Sequence, residues 1–327
     1  MIIDGFNRVH DYLRISLTDN CNLRCFYCMP EEEYEFTPVS RLMQADEIEA
    51  IAKIFVNNGV NKIRLTGGEP LVRKDAADII ERLSKLPVKL TMTTNATRLD
   101  KFLDVIKSSG IRSLNISLDT LNKERFLMLT KRDQYDEVMN NIDLMIQNDI
   151  HVKLNAVIMK GINDNEINDF ILLTRDLPIH VRFIEFMPFT GNQWNSERVF
   201  TWQQILEKAT QEFEVLPLER EKHETAKKYK VPGHQGTFAV ISTMSAPFCG
   251  DCNRMRLTAD GKMKNCLFSQ SETDLLTPFR EGKDILPLIH QSIRDKKEAL
   301  GGQFSVEDLG KIETAKLENR SMITIGG

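Results

Sequence analysis

Short apolar and β-branched runs alternate with longer stretches of helical periodicity through the first 190 residues of this chain. Strands are expected near residues 12–18, 61–66, 88–94, 111–118, 151–158 and 180–187. Helical stretches lie between them. Over Asp46–Asn58, for example, Ile48, Ile51, Ala52 and Phe55 recur at the spacing of one helix face. Gly59 follows that stretch as a stop, and Gly110 does the same after a helix near 100–109. Repeated strand–helix alternation implies a parallel sheet, and six such units suffice to curl into most of a barrel. After about residue 190 the rhythm breaks. A helix over Thr201–Gln211, a charged loop around 219–230 and then short strands are expected there.

Strands buried on both faces should read as nearly continuous apolar runs. These do not. Asn115, Ser117 and Asp119 alternate with Ile116 and Leu118, and Lys153 and Asn155 alternate with Leu154 and Ala156. Thr91, Thr93 and Asn95 share one face, as do Arg14, Ser16 and Thr18. One face is therefore polar on at least four strands. That pattern fits either an open sheet with a wetted face or a barrel whose lumen holds a large polar ligand.

Composition narrows the function classes. With 327 residues the chain suits one large α/β barrel or two domains. A net charge of −4 gives no global field for nucleic acid or an anionic membrane, so neither is expected as a partner. Any polyphosphate must find a local cationic pocket. No run approaches the length of a membrane span, and the N-terminal residues lack the apolar centre of a signal peptide. A reducing, cytoplasmic location is expected.

The six cysteines fall into two groups, Cys21, Cys25 and Cys28, then Cys249, Cys252 and Cys266. Three thiolates are one short of the four that close a tetrahedral zinc or iron–sulfur site. Two incomplete groups suggest two metal centres that each keep an open position for a reactant. A zinc site with a distant fourth ligand is the plainer alternative, with His10 the nearest imidazole to the first group. That first group sits at the C-terminal end of the first expected strand, where α/β barrels carry their chemistry.

Cys21, Cys25, Tyr27 and Cys28 form the C-x3-C-x-aromatic-C pattern, and here the chain resembles the radical S-adenosylmethionine (SAM) superfamily. Thr66, Gly67, Gly68, Glu69 and Pro70, after the second expected strand, match that superfamily's glycine turn. The resemblance implies a [4Fe–4S] cluster on Cys21, Cys25 and Cys28 whose fourth iron chelates SAM. It implies reductive cleavage of SAM to a 5′-deoxyadenosyl radical, with the electron coming from an external donor. By the same resemblance Tyr27, Gly68, Ser117 and Met187 bind SAM, with Ser117 at the ribose and Met187 at the adenine.

The second group carries a narrower likeness. Cys249, Cys252, Arg254, Met255, Arg256 and Cys266, with Gly326 and Gly327 closing the chain, resemble the GTP 3′,8-cyclase family that opens molybdenum cofactor biosynthesis. The resemblance covers essentially the whole chain. It implies an α/β fold, an incomplete (β/α)6 barrel over residues 1–220, and an auxiliary-cluster region over 221–327 that closes the open side. It implies a lyase with a second, substrate-binding [4Fe–4S] cluster on Cys249, Cys252 and Cys266, and GTP contacts from Arg14, Arg64, Thr93, Lys153, Arg254, Met255 and Arg256. Catalytic roles fall on Arg14, Arg256, Gly326 and Gly327. In the implied reaction the radical takes hydrogen from C3′ of GTP, the carbon radical attacks C8, and 3′,8-cyclo-7,8-dihydro-GTP passes to a pyranopterin synthase. A homodimer is also implied. Asn20 and the Asn95–Thr97 turn depart from the family's usual residues at positions away from the ligands. The charges fit independently: Arg254 and Arg256 face one way on a strand, and guanidinium forks match phosphate oxygens. Another radical SAM enzyme with an auxiliary cluster, such as a peptide-modifying maturase, or a non-enzymatic iron–sulfur or zinc protein, are the rival readings.

Overall fold

The apolar runs fold into twelve strands joined in one sheet. Six stand where the sequence places them: β1 (Tyr12–Ser16), β2 (Lys62–Thr66), β3 (Lys89–Thr94), β4 (Ser113–Ser117), β5 (His151–Ile158) and β6 (His180–Glu185). The other six are β7 (Leu216–Pro217), β8 (Lys227–Lys230), β9 (Thr237–Ile241), β10 (Arg254–Leu257), β11 (Lys262–Lys264) and β12 (Thr273–Asp274). This is a computed structural model, and it describes residues 1–29, 36–307, 309–312 and 314–326. The strand order is β12-β11-β10-β1-β2-β3-β4-β5-β6-β9-β8-β7.

From β10 through β9 all neighbours run parallel, so the parallel run is eight strands rather than six. Both added strands come from the C-terminal part: β10 lies beside β1 and β9 beside β6. The sheet thus continues across the boundary expected at residue 220. Its two ends, β12 and β7, do not pair with each other, and the curl stays open. The charged loop expected over 219–230 is partly a strand. In β8, Tyr229 turns inward and stacks on Phe238 at 5.4 Å, while Lys227 donates to Ser242 Oγ at 2.7 Å and Lys228 pairs with Glu224 at 2.6 Å. A single apolar residue among lysines gave too weak an alternation to read as a strand.

Helices α1 (Ala45–Asn57), α2 (Ala76–Ser84), α3 (Leu99–Ser108), α4 (Lys123–Thr130), α5 (Tyr135–Gln147), α6 (Ile167–Asp176) and α7 (Trp202–Thr210) follow the strands. Helices α8 (Leu276–Arg280), α9 (Leu286–Arg294) and α10 (Met322–Ile325) belong to the C-terminal part. Gln44 and Glu47 start α1 with reciprocal side-chain-to-backbone hydrogen bonds, and Thr201 and Gln204 do the same for α7. Gly59 and Gly110 stop α1 and α3 in left-handed backbone, at φ of 104° and 71°. The buried face of α1 is Ile48, Ile51, Ala52 and Phe55, as its periodicity requires. It packs with Leu13, Ile15, Ile63, Leu65 and Met92 from the outer face of the sheet, all fully buried. Among the described residues no helix is long and apolar enough to cross a membrane.

Gly236 lets β9 enter beside β6. A Cβ there would lie 2.2 Å from the Ile179 carbonyl oxygen and 2.8 Å from that of Leu177, both backbone atoms. Gly236→Ala is expected to lower stability by about 1–3 kcal/mol, the usual range for overpacking. A denaturant titration reads this directly, and an unchanged midpoint would mean that β9 can shift without cost.

Candidate active site

Register turns the polar alternation into a lumen. Arg14 lies between Arg64 on β2 and Arg256 on β10. Thr93 lies beside Asn115, Asn115 beside Lys153, and Asn155 between Ser117 and Arg182. Because partners point to the same side of a parallel sheet, the polar residues of successive strands line one interior. The expected wetted face is therefore enclosed. Two adjoining cavities occupy it, of about 190 Å³ and about 650 Å³. Thr93, Asn155, Ile184, Met187 and Met322 line both, so the two meet in the middle of the lumen.

Cys21, Cys25 and Cys28 line the smaller cavity together with Tyr27, Gly67, Gly68, Ser117 and Met187. A Cβ at Gly68 would come within 2.5 Å of the Asn20 carbonyl oxygen, and one at Gly67 within 2.6 Å of that of Thr18. Both turns can therefore pack backbone to backbone only as glycine. Glu69 is buried and accepts from Leu71 N at 3.0 Å, Thr94 Oγ1 at 2.8 Å and Asn95 N at 2.6 Å. Burial still pushes its carboxyl up to about 7. The Tyr27 hydroxyl donates to Asp119 Oδ2 at 2.5 Å, so its ring rather than its hydroxyl is open to a ligand. Burial raises all three thiols of this group, reinforced at Cys21 by Glu69 and at Cys25 and Cys28 by the neighbouring thiols and Asp119.

The larger cavity is cationic. Arg14, Lys62, Arg64, Lys89, Lys153, Arg182, Arg254 and Arg256 line it, with Cys249, Cys252 and Cys266 at one end. Arg182 is the clearest residue that strand periodicity alone did not single out. Its Nε and Nη2 are buried without a hydrogen-bond partner, as is Arg14 Nε. Burial and the neighbouring guanidiniums bring Arg182 down to about 9, and burial brings Arg64 down to about 10. Burial, then Arg182 and Arg64, lowers Lys153 to about 8. Burial alone would raise Tyr12, but Arg64, Arg14 and Lys62 around it outweigh that and bring it to about 7. Unpaired buried donors of one sign make a site for a polyanion.

At the cysteine end, Arg254 Nη2 lies 3.4 Å and Lys296 Nζ 3.6 Å from Cys252 Sγ. Burial would raise that thiol, yet the two cations bring it down to about 6. Arg8, from the N-terminal turn, donates to the Cys249 carbonyl at 2.7 Å and to that of Glu298 at 2.7 Å. Among the described residues no three His, Cys, Asp or Glu side chains close on a single metal ion. His10 Nε2 is tied to Asp4, 3.0 Å from Oδ2, and its Nδ1 is buried without a hydrogen-bond partner.

The tail reaches this interior. Arg320 pairs with Asp260 at 2.9 Å and 2.8 Å, and Asn319 donates to the Leu267 carbonyl at 3.0 Å. From there α10 leads Gly326 to Arg256, whose Nη1 donates to the Gly326 carbonyl at 2.5 Å. A Cβ on Gly326 would sit 2.6 Å from Thr66 Oγ1 and 3.0 Å from Ser16 Cβ. Gly327 lies outside the described residues. Met255 is the one expected contact that faces elsewhere. Its neighbours Arg254 and Arg256 point into the cavity, so its side chain points the other way and is fully buried in the core with Leu13 and Leu257.

Comparison with known proteins bears on this arrangement. The radical SAM superfamily profile matches residues 15–174, and the Molybdenum Cofactor Synthesis C profile matches residues 179–301. The whole chain aligns at 47% identity with "GTP 3′,8-cyclase, mitochondrial" of Arabidopsis thaliana, covering 84% of that protein. The chain belongs to the GTP 3′,8-cyclase family. It also aligns along its full length, at 43% identity, with "Molybdenum cofactor biosynthesis protein 1" of Dictyostelium discoideum, spanning about half (52%) of it. Among solved structures, Streptococcus suis SuiB bound to its precursor peptide SuiA superposes with a TM-score of 0.63. That likeness covers 96% of this chain and 76% of SuiB at 16% identity, and it speaks for the shared fold alone.

As a radical SAM member of the GTP 3′,8-cyclase family, the chain uses a [4Fe–4S] cluster and SAM. The smaller cavity fits them, with three thiols on one wall and side-chain-free backbone at Gly67 and Gly68 on another. The larger cavity is expected to leave its mark on pH dependence. Between about pH 8 and the ordinary lysine value of 10.5, folded protein has shed the Lys153 proton that unfolded chain keeps. Stability attributable to this group therefore rises with pH across that window. In thermal melts Lys153→Met should flatten the rise relative to wild type, and an identical pH profile would contradict the burial of a repelled ammonium.

Proposed function

We propose that the chain is a GTP 3′,8-cyclase, converting GTP and SAM to 3′,8-cyclo-7,8-dihydro-GTP in molybdenum cofactor biosynthesis. The observation that carries this reading is the cationic cavity adjoining the SAM cavity, with two buried Arg182 nitrogens unpaired in it. The triphosphate lies against Arg14, Arg64, Lys153 and Arg182, with Lys62 and Lys89 beyond them. Burial strengthens each contact, because few waters compete and, among the described residues, no carboxylate forms an ion pair with Arg14, Arg64, Lys153 or Arg182. The ribose then falls near Thr93, Asn155 and Met187, where the two cavities meet.

SAM bound at the Cys21, Cys25 and Cys28 cluster supplies a hydrogen-abstracting 5′-deoxyadenosyl radical. The chain's own part is to bind, orient and exclude water. Ser117 and Met187 face the SAM cavity at the ends of β4 and β6, suited to the nucleoside part of SAM. Cys249, Cys252 and Cys266 converge on the larger cavity and would hold a second [4Fe–4S] cluster there, which would supply a binding position for the substrate base. Arg256, between Arg14 and the Gly326 carbonyl, ties the tail to the substrate site. Free thiols at both sites suit a reducing compartment. The product passes to a separate synthase, and an external donor supplies the electron.

Anaerobic incubation of cluster-loaded protein with GTP, SAM and reductant tests the reading. It predicts 5′-deoxyadenosine and a cyclised nucleotide in step; SAM cleavage indifferent to GTP would sink it.

Arg182→Ala and Lys153→Ala should each weaken GTP binding while SAM affinity stays near wild type. Loss of one charge-assisted hydrogen bond costs ~1.5–3 kcal/mol, roughly tenfold to a hundredfold in affinity. Calorimetry with each ligand separately gives the answer, and equal losses for both ligands would misplace the nucleotide. For the tail, Gly326→Ala should abolish product formation with iron content and fold retained. Full turnover by that variant, per cluster-loaded chain, would return the tail to an inert end.

A further inference from the structure

Cys252 differs from the first cysteine group in what surrounds it. Lys296, just past α9, is only 4% exposed, and its ammonium lies 3.6 Å from Cys252 Sγ and 3.3 Å from the Arg254 carbonyl oxygen. No carboxylate pairs with Lys296 among the described residues. Asp4, an acid of the N-terminal turn, is taken by Arg8 Nε at 2.6 Å and by His10. His10 offers no negative charge. A buried ammonium with only a carbonyl for company is costly unless an anion sits against it. Arg254 adds a second cationic donor to the same sulfur at 3.4 Å. Around the first group acids stand nearer: Asp119 and Glu69 lie by the thiols, and Cys21 receives the Asn95 amide at 3.7 Å and the Leu23 backbone N–H, with Arg24 the one cation acting on it.

We propose that Lys296 is a positioning residue for the second cysteine site, its buried charge stabilising the reduced cluster there and raising that site's reduction potential. The inference rests on the reading of Cys249, Cys252 and Cys266 as a [4Fe–4S] site. Reduction adds one negative charge to a cluster, and a fixed cation bonded to a ligating sulfur favours the more negative form. Lys296 does so from outside the cavity lining, which Cys252 belongs to and Lys296 does not. Its contact with the Arg254 carbonyl also fixes the start of β10, which carries Arg254 and Arg256 into the lumen.

The test isolates the second site in a Cys21→Ala, Cys25→Ala, Cys28→Ala background, reconstituted anaerobically and poised at a series of potentials. The paramagnetic signal of the reduced cluster reports the midpoint without any turnover. In that background Lys296→Met should keep its iron and titrate at a more negative potential, with several-fold fewer clusters reduced at the parent midpoint. Lys296→Arg should restore most of the parent value. Should Lys296→Met lose its iron, Lys296→Gln, which keeps a donor without the charge, carries the same titration. A parent-like midpoint in the iron-loaded neutral variant overturns the role of Lys296. A background protein that binds no iron with Lys296 intact overturns the second-cluster reading itself, and this inference with it.

Discussion

Positive charge buried without a matching acid is the constraint on which the rest of the molecule depends. Arg14, Arg64, Arg182, Arg254 and Arg256 project into one lumen, and Arg64 and Arg256 are only 7% and 6% exposed. Each repels the next, so their convergence is by itself electrostatically unfavourable. What holds it is the other face of the same strands. Leu13, Ile15, Ile63, Leu65, Leu114, Ile116 and Leu154 lock the sheet against the helices with almost no exposure. Strict alternation lets one strand serve both ends: Met255 anchors β10 in the core so that Arg254 and Arg256 can face inward.

Acids are present in this region but spent elsewhere. Glu185, fully buried, accepts from Trp202 N at 2.9 Å, Met244 N at 2.8 Å and Ser245 N at 2.9 Å. Glu166 accepts from Thr120 Oγ1 at 2.7 Å and Leu121 N at 2.6 Å, and Glu69 binds the loop after β3. Each carboxylate ties a loop following one strand to the loop following another. The rim is thereby fixed by side-chain-to-backbone bonds, which a carboxylate makes well because it accepts several N–H groups at once. These acids turn toward backbone donors, which leaves the lumen cations unneutralised for a substrate.

The sequence made the six central strands, their parallel order and the polar face readable, because period-two alternation and helix periodicity are local signals. The pairing of β10 with β1 and β9 with β6 was not readable, since both pairings join residues far apart in the chain and the two strands are short. The cysteines and the Gly67–Gly68 turn announced themselves by spacing. Arg182 did not, although it stands on β6 in phase with Ile184; an arginine in an apolar strand opposite Asn155 is the signal that was there to be used. Lys296 and Arg8 carry no such signal. Their contacts to Cys252 and Cys249 arise only when the N-terminal turn and the segment after α9 meet beside the second cysteine loop.

The tail follows from the same charge problem. Burial, then Arg14 and Arg254, pulls Arg256 well below the usual guanidinium range, so its donors need an acceptor. A carboxylate side chain there would satisfy it too well, neutralising a cation that a phosphate or base must later engage. The Gly326 carbonyl is a neutral acceptor, and it takes only one of the five guanidinium N–H groups. Among the described residues no second acceptor engages Arg256, which leaves donors for a substrate. Thr66 and Ser16 crowd the place where any Cβ would stand, so only glycine can bring that carbonyl so close. Arg320 and Asp260 hold the segment leading to α10, which keeps the carbonyl in place and reduces the entropy lost by ordering it. A neutral, side-chain-free and externally anchored acceptor can share the lumen with an anionic substrate, whereas a charged or bulky one would compete with it.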